Sequence, residues 1–328
     1  MTNVERFERF FHFDRAIDRL PVIEWATWWD QTIDAWKAQG LPEGLGCGFE
    51  TNAYFGQDTL RQFWIPARDV NCPQPAGHGA PLIWDEKDYR ELKKYLYTDR
   101  LLEELHAQIK AFRDTHEDYA YWLTLDGYFW HPRNLFGIEN HFYAFYDVPE
   151  LMLEINSDLA DFHKRALDMV YDVVHPVYMT FAEDMSYNHG PMLSREQYDK
   201  FMLPFYREVI PVLKAHDTRV LIDTDGFVEP LIPWFLEGGI EGILPLERMA
   251  GVDVNRIREA YPDLLMIGGY DKTIMHKGED AMRAEFERLK PAILSGGYIP
   301  SVDHQTPPDV TLEQYRVFMR LLREYCAQ

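Results

Sequence analysis

The chain of 328 residues carries 33 Lys and Arg against 54 Asp and Glu, a formal net charge of −21. That charge repels phosphate backbones and anionic membrane surfaces, and so excludes nucleic acid as a partner. With 46% hydrophobic and 15% aromatic residues the chain can bury a large core, which excludes disorder.

Cys47, Cys72 and Cys326 show neither metal-ligand spacing nor the even count of a disulfide framework, which points to a reducing cytoplasm. The charged opening MTNVERFERFFHFDRAIDRLP lacks the apolar block of a signal peptide, and no stretch reaches the ~18 apolar residues of a membrane span.

In chain order, short apolar runs bounded by turn residues predict strands over 20–24, 62–65 (weaker), 121–125, 177–182, 219–222, 242–245, 264–268 and 297–302. Between and after them, helical periodicity covers roughly 28–39, 88–114, 149–173, 195–216, 228–237, 252–261, 278–294 and 312–326. Ser194 precedes a Glu-bearing first turn, and Thr311 with Gln314 forms a capping-box pattern. Eight strands alternating with helices, without a flexible linker, predict a single-domain (β/α)8 TIM barrel over 1–328. A doubly wound sheet would want a phosphate-binding glycine fingerprint after its first strand, and no GxGxxG, P-loop or internal repeat is present. The Gly- and Pro-rich segment 47–86 reads as an elaborated loop after the first strand, placed to cover a barrel mouth.

Active sites of such barrels form at the C-terminal ends of the strands. Here those ends carry Glu24 and Trp25, Asp126, Glu183 and Asp184, Asp223 and Asp225, Glu247, Asp271 and Lys272, and Asp303 and His304. Carboxylates converging on one mouth repel one another, and a bound cation or a raised pKa relieves the repulsion. Asp223, Asp225, Asp303 and His304 are the candidate metal ligands, an imidazole and carboxylates suited to zinc or a harder divalent ion. The alternative is that Asp223 and Asp225 merely cap or turn the chain.

Glu183, Asp184 and Glu24 are candidate acids, bases or positioning groups, because closely placed carboxylates separate their pKa values. Trp25, Trp28, Tyr128 and Trp130 could wall a flat ligand or could be core. With Asp126, His189, Glu247 and Asp271 they complete a candidate substrate-binding set. No Ser-His-Asp order or nucleophile elbow occurs.

Three stretches carry a family likeness: NVERF…FDRAIDRLPVIEW, then YDVPE…FAEDMSYNHGPMLSREQYDKFMLPFYREVI, then DTDGFVEPLIPWFLEGGIEGILPLE…LLMIGGYDK…GGYIPSVDHQTPPDVTLEQY. Together they resemble the uroporphyrinogen-decarboxylase-like superfamily over most of the chain, the last stretch most specifically. The resemblance implies a barrel and one of two activities, porphyrinogen decarboxylation or zinc-assisted methyl transfer to or from a corrinoid. True decarboxylases of the family carry an arginine-rich RQAGRY-type segment after the first strand, where this chain has Glu24-Trp25-Ala26-Thr27-Trp28-Trp29. An arginine-poor mouth is a poor host for an octacarboxylate. The family's zinc methyltransferases present a His-x-Cys where this chain has Asp223-x-Asp225, and a further Cys near the place of Asp303-His304. A soft zinc–thiolate site is thus replaced by harder oxygen and nitrogen donors.

The expectation is a corrinoid-linked methyltransferase that demethylates a small methylated substrate, a methoxy-aromatic among the candidates, with a metal as Lewis acid. Since no DxHxxG corrinoid motif is present, the corrinoid would come on a partner protein. The alternatives are a decarboxylase or lyase of a small acid, anchored by Arg133, Arg248 or Lys272, and a noncatalytic ligand-binding barrel.

Overall fold

In the computed structural model, which describes residues 1–327, the central element is a seven-stranded, wholly parallel sheet. Its strands are β1 (Leu60–Ile65), β2 (Ala120–Asp126), β3 (Tyr178–Ala182), β6 (Arg219–Asp223), β7 (Gly242–Leu244), β8 (Leu265–Ile267) and β9 (Tyr298–Ile299), neighbours in that order. A small antiparallel hairpin, β4 (Ser186–Tyr187) and β5 (Gly190–Pro191), stands on the loop after β3. Helices occupy most of the remaining chain, including Asp99–Thr115, Pro149–Tyr171, Leu203–Ala215, Glu279–Ser295 and Leu312–Cys326. No helix among the described residues is long and apolar enough to cross a membrane.

Seven of the eight strands expected from sequence are present. The first is not: residues 20–24 form no ladder. They nonetheless lie between the two edges of the sheet. Asp58 N donates to Val22 O on the β1 side, and Trp25 N donates to the Ser301 hydroxyl on the β9 side at 3.2 Å. Side chains take the place of backbone pairing here, with Gln57 Oε1 accepting from Glu24 N at 3.1 Å and Asp58 Oδ2 from Val22 N at 2.7 Å.

The capping expectations hold at Ser194 and Thr311, each of which closes a full capping box with a Gln. Predicted helix 88–114 is instead broken into Glu86–Leu92, a short 3-10 turn and Asp99–Thr115. Segment 47–86 is not one lid: it contains the helix Phe49–Tyr54 and β1 itself, and only its latter half is loop. Helices Trp130–Phe136 and Ile138–Asp147 lie where the sequence reading assigned no element.

Register fixes what the site is built on, because paired residues of adjacent parallel strands point to the same face. Asp126, Ala182, Asp223 and Leu244 pair in succession across β2, β3, β6 and β7. One layer below, Thr124 and Thr180 pair and their hydroxyls lie 2.9 Å apart. The concave face thus ends in a polar rim layer containing Asp126 and Asp223. Alternate residues such as Phe181 point outward, to Tyr206 of the helix Leu203–Ala215.

Candidate metal and active site

Strand alternation decides which acidic residues reach the mouth. Ala182 lies in the rim layer, so Glu183 turns to the opposite face. There its carboxylate accepts the N–H groups of Tyr128 (2.7 Å), Phe129 (2.7 Å) and Trp130 (3.1 Å), at the start of the helix Trp130–Phe136, and the Tyr206 hydroxyl. Burial pushes its pKa up, to about 7, while those four partners pull it down. Because all of them donate, the cage is shaped for the ionised form. A Cβ on Gly127 would lie 2.0 Å from Glu183 Cδ, so this residue must be glycine for the carboxylate to sit where it does. The sequence expectation of a catalytic Glu183 is corrected: its oxygens are occupied by the protein's own donors.

Asp184 takes a left-handed backbone, φ 46°, and turns back toward the rim. Arg133 donates to its carbonyl at 3.0 Å and comes within 3.7 Å of its carboxylate, with the guanidinium stacked 4.8 Å over the Trp130 ring. Burial raises the Asp184 pKa against the pull of Arg133.

After β6 the chain again alternates. Asp223 ends the strand in the rim layer, Thr224 turns away to accept from Met185 N at 3.0 Å, and Asp225 returns to the mouth. Gly226 holds this turn against the hairpin. With φ 83°, its missing Cβ would lie 2.6 Å from the Tyr187 backbone, and Phe227 N donates to Tyr187 O at 2.8 Å.

Three donor side chains converge: the candidate ligand atoms of Asp225, Glu247 and His304 all lie within 4.8 Å of one another. His304 Nε2 is 3.9 Å from Asp225 Oδ2. Tetrahedral ligands at about 2.1 Å from a zinc ion would be roughly 3.4 Å apart, so a small contraction suffices. One Glu247 oxygen accepts from Gly226 N at 2.8 Å, which fixes the carboxylate while leaving the other oxygen for a ligand bond.

The electrostatics suit a cation. Burial and the neighbouring carboxylates Asp184 and Glu247 push Asp225 up to about 7, and burial likewise carries Asp223 well above its ordinary range. Burial and the nearby Lys272 lower the His304 pKa, leaving the neutral imidazole that metal ligation requires.

Of the candidate metal ligands read from sequence, Asp225 and His304 lie in this cluster, together with Glu247, expected to bind substrate. Asp303 leaves the set: its oxygens accept from Lys272 N at 3.2 Å and Arg248 N at 3.0 Å, tying together the loops after β7 and β8. Burial outweighs those bonds and the Lys272 charge, and raises it to about 6. Asp223 stays in the rim layer outside the cluster.

The other expected residues fall into two groups. Trp25 stands at the mouth, its ring edge-on to His304 at 6.2 Å and its indole N–H donated to Val302 O. Trp130 lies under the Arg133 guanidinium. Glu24 is buried behind Trp25, accepting from Ser301 Oγ at 3.1 Å and Val302 N at 3.3 Å, with a pKa raised by burial to about 8.

Trp28 and Tyr128 are core, not pocket wall: Trp28 packs with Trp36, Phe55 and Tyr315, and Tyr128 with Phe181, Phe205 and Tyr206. Asp126 accepts from Trp64 Nε1 and Ala67 N, both at 2.9 Å, which joins the ends of β1 and β2. Asp271 caps the turn Lys272–Lys277 through Thr273, and His189 is exposed at the hairpin tip against Tyr187. A cavity of about 670 Å³ lies at the other end of the strands, lined by Phe11, Arg219 and Leu265 among others, and takes no part in this cluster.

A family model described as uroporphyrinogen decarboxylase (URO-D) matches residues 133–325. No curated protein matches the chain by sequence. Among solved structures, a methyltransferase from Methanosarcina mazei superposes with a TM-score of 0.68 at 13% identity, covering 99% of both chains. A protein from Listeria monocytogenes described as a vitamin-B12-independent methionine synthase superposes more loosely, with a TM-score of 0.48 at 11% identity over 94% of this chain and 96% of that one. At these identities the likeness is one of fold.

Proposed function

Because the chain belongs to the uroporphyrinogen decarboxylase family, we propose that it is a methyltransferase that demethylates a small methylated compound and passes the methyl group to a corrinoid on a partner protein. In this reading the chain is one (β/α)8 barrel whose eighth stave is residues 20–25, and Asp225, Glu247 and His304 hold a divalent cation at its mouth. The observation that carries the reading is the convergence of those three donors at the ends of β6, β7 and β9, where strongly raised carboxylate pKa values ask for a positive charge.

A bound ion supplies Lewis acidity to an ether or hydroxyl oxygen. Asp184, whose pKa burial raises and which Arg133 steadies, would give a proton to the leaving oxygen. Trp25 supports His304 from the side and offers an apolar wall. A thiol acceptor would want a softer ligand set than two carboxylates and an imidazole, which favours an oxygen-bound methyl substrate.

The decarboxylase alternative needs cationic anchors at the mouth. Arg133 is engaged with Asp184, and Arg248 with Val252 O and Asp253, so two of its three candidates are committed elsewhere. The test is metal content of the purified protein by mass spectrometry beside an Asp225→Ala/His304→Ala double variant. Zinc or manganese near one per chain, lost in the double variant, supports the proposal. Absence of metal from both overturns it and favours the decarboxylase or the ligand-binding barrel.

A further inference from the structure

A line of buried polar groups crosses the wall behind the rim and has no part in the metal cluster. It begins at Asp158 on the helix Pro149–Tyr171, whose side chain is 23% exposed and 2.5 Å from Lys93. The Tyr89 hydroxyl lies 2.7 Å from Asp158 Oδ2 and 3.3 Å from the Tyr97 hydroxyl. Tyr97 Oη is 2.9 Å from His131 Nε2, and His131 Nδ1 is 3.8 Å from Asp126 Oδ2. Tyr89, Tyr97, His131 and Asp126 are all buried. The line therefore has one exposed end, and its other end lies in the rim layer beside Ala182, two strands from Asp223.

The backbone at Tyr97 sits in the left-handed region, φ 59°, uncommon for an aromatic residue and costing about 1–3 kcal/mol. It is held there by Tyr97 N donating to Ala67 O and by Arg165 donating to Tyr97 O. It aims the ring between Tyr89 and His131.

We infer that Asp158, Tyr89, Tyr97 and His131 form a proton relay from the protein surface to Asp126 at the rim. A proton taken up on Asp158 passes to the Tyr89 oxygen as Tyr89 gives its own hydroxyl proton to Tyr97. Tyr97 in turn protonates His131 Nε2, and the proton on Nδ1 leaves for Asp126. Each O–H or N–H bond formed is matched by one broken, and one proton has crossed the wall. The last gap, 3.8 Å, is longer than a hydrogen bond and closes by a ring movement that brings Nδ1 to the Asp126 oxygen that also accepts from Ala67 N.

The groups facing His131 are Asp126, Tyr97 and, from the helix Pro149–Tyr171, His163, whose burial keeps it neutral with a pKa lowered to about 3. No second imidazolium competes for the proton there. The use of the proton, to restore the one that Asp184 gives to the leaving oxygen on demethylation, rests on the proposed function. The path itself does not.

Exchange of the His131 ring N–H with water, followed by NMR on protein labelled with 15N-histidine, tests the relay without metal or substrate. Tyr89→Phe and Tyr97→Phe each remove one hydroxyl and are expected to slow that exchange at least tenfold, with the His163 ring, off the path, unchanged. A network that merely braces the fold predicts the opposite sign, since losing a hydrogen bond loosens the wall and speeds exchange. Unchanged or faster exchange at His131 in Tyr89→Phe, the variant that leaves the Tyr97–His131 contact intact, overturns the inference. The metal measurement above stands or falls separately.

Discussion

Replacing Glu183 by Gln changes one atom, yet it should destabilise the protein severely. In the native cage two donors meet each carboxylate oxygen: Tyr128 N–H and Tyr206 O–H on one, Phe129 N–H and Trp130 N–H on the other. An amide oxygen serves one pair, and its NH2 then confronts the other. The best arrangement turns Tyr206 to accept, which still leaves the Tyr128 N–H facing a donor. One buried unsatisfied N–H costs about 1–3 kcal/mol, and losing the charge on the remaining bonds brings the sum to roughly 3–5 kcal/mol.

Against a total stability of about 5–15 kcal/mol that is a large fraction. In urea titrations followed by far-ultraviolet circular dichroism, an m-value of about 3 kcal/mol/M puts the midpoint roughly 1–1.7 M lower. Gly127→Ala should do at least as much, because its methyl would overlap the carboxylate itself. A Glu183→Gln protein with an unmoved midpoint and lost turnover would refute the reasoning, and would make Glu183 a catalytic group rather than a brace.

Two further outcomes follow from buried side chains. Both nitrogens of His141 lack a hydrogen-bond partner among the described residues, in a cage of Phe129, Phe142 and Phe145, and burial lowers its pKa to about 3. A histidine depressed in the fold contributes stability that is present above its unfolded pKa of about 6.5 and is lost as pH falls toward 3, at up to about 1.4 kcal/mol per pH unit. His141→Phe should therefore flatten the acid limb of melting temperature against pH. An acid limb as steep as the parent's would show that His141 does not titrate on unfolding. Trp28→Ala should cost about 3–5 kcal/mol as a core deletion and leave metal content unchanged in the folded fraction. A stable Trp28→Ala protein would return Trp28 to the ligand wall.

The fold was readable where period and length agreed. Long amphipathic stretches such as Leu312–Cys326 and consecutive apolar runs such as those of β2 and β3 mark themselves, since both faces of a parallel strand are buried. Residues 20–24 have a strand's composition, but ladder formation depends on neighbours far along the chain, and here Gln57, Asp58 and Ser301 supply side-chain bonds instead. At the site, sequence located the strand ends correctly but could not tell which way each side chain turns. A one-residue shift moves a side chain to the other face, and that alone separates buried Glu183 from mouth-facing Asp184 and Asp225. Glu247 was visible as a strand-end carboxylate. Its distance to His304, which makes it a ligand candidate, depends on two loops packed together by Asp303, a contact no local pattern encodes.

The segment at residues 20–25 has a mechanical meaning. Within the sheet every joint is a row of backbone hydrogen bonds, whereas this segment is fastened mainly by side chains, from Gln57 and Asp58 just ahead of β1 and from Ser301 after β9. It is a seam between the two edges of the sheet, and its amides should exchange before those of β2 and β3. His304 stands on the loop that Trp25 and Glu24 stitch across that seam, so any yielding there shifts the imidazole while Asp225 and Glu247 stay on the continuous part of the wall.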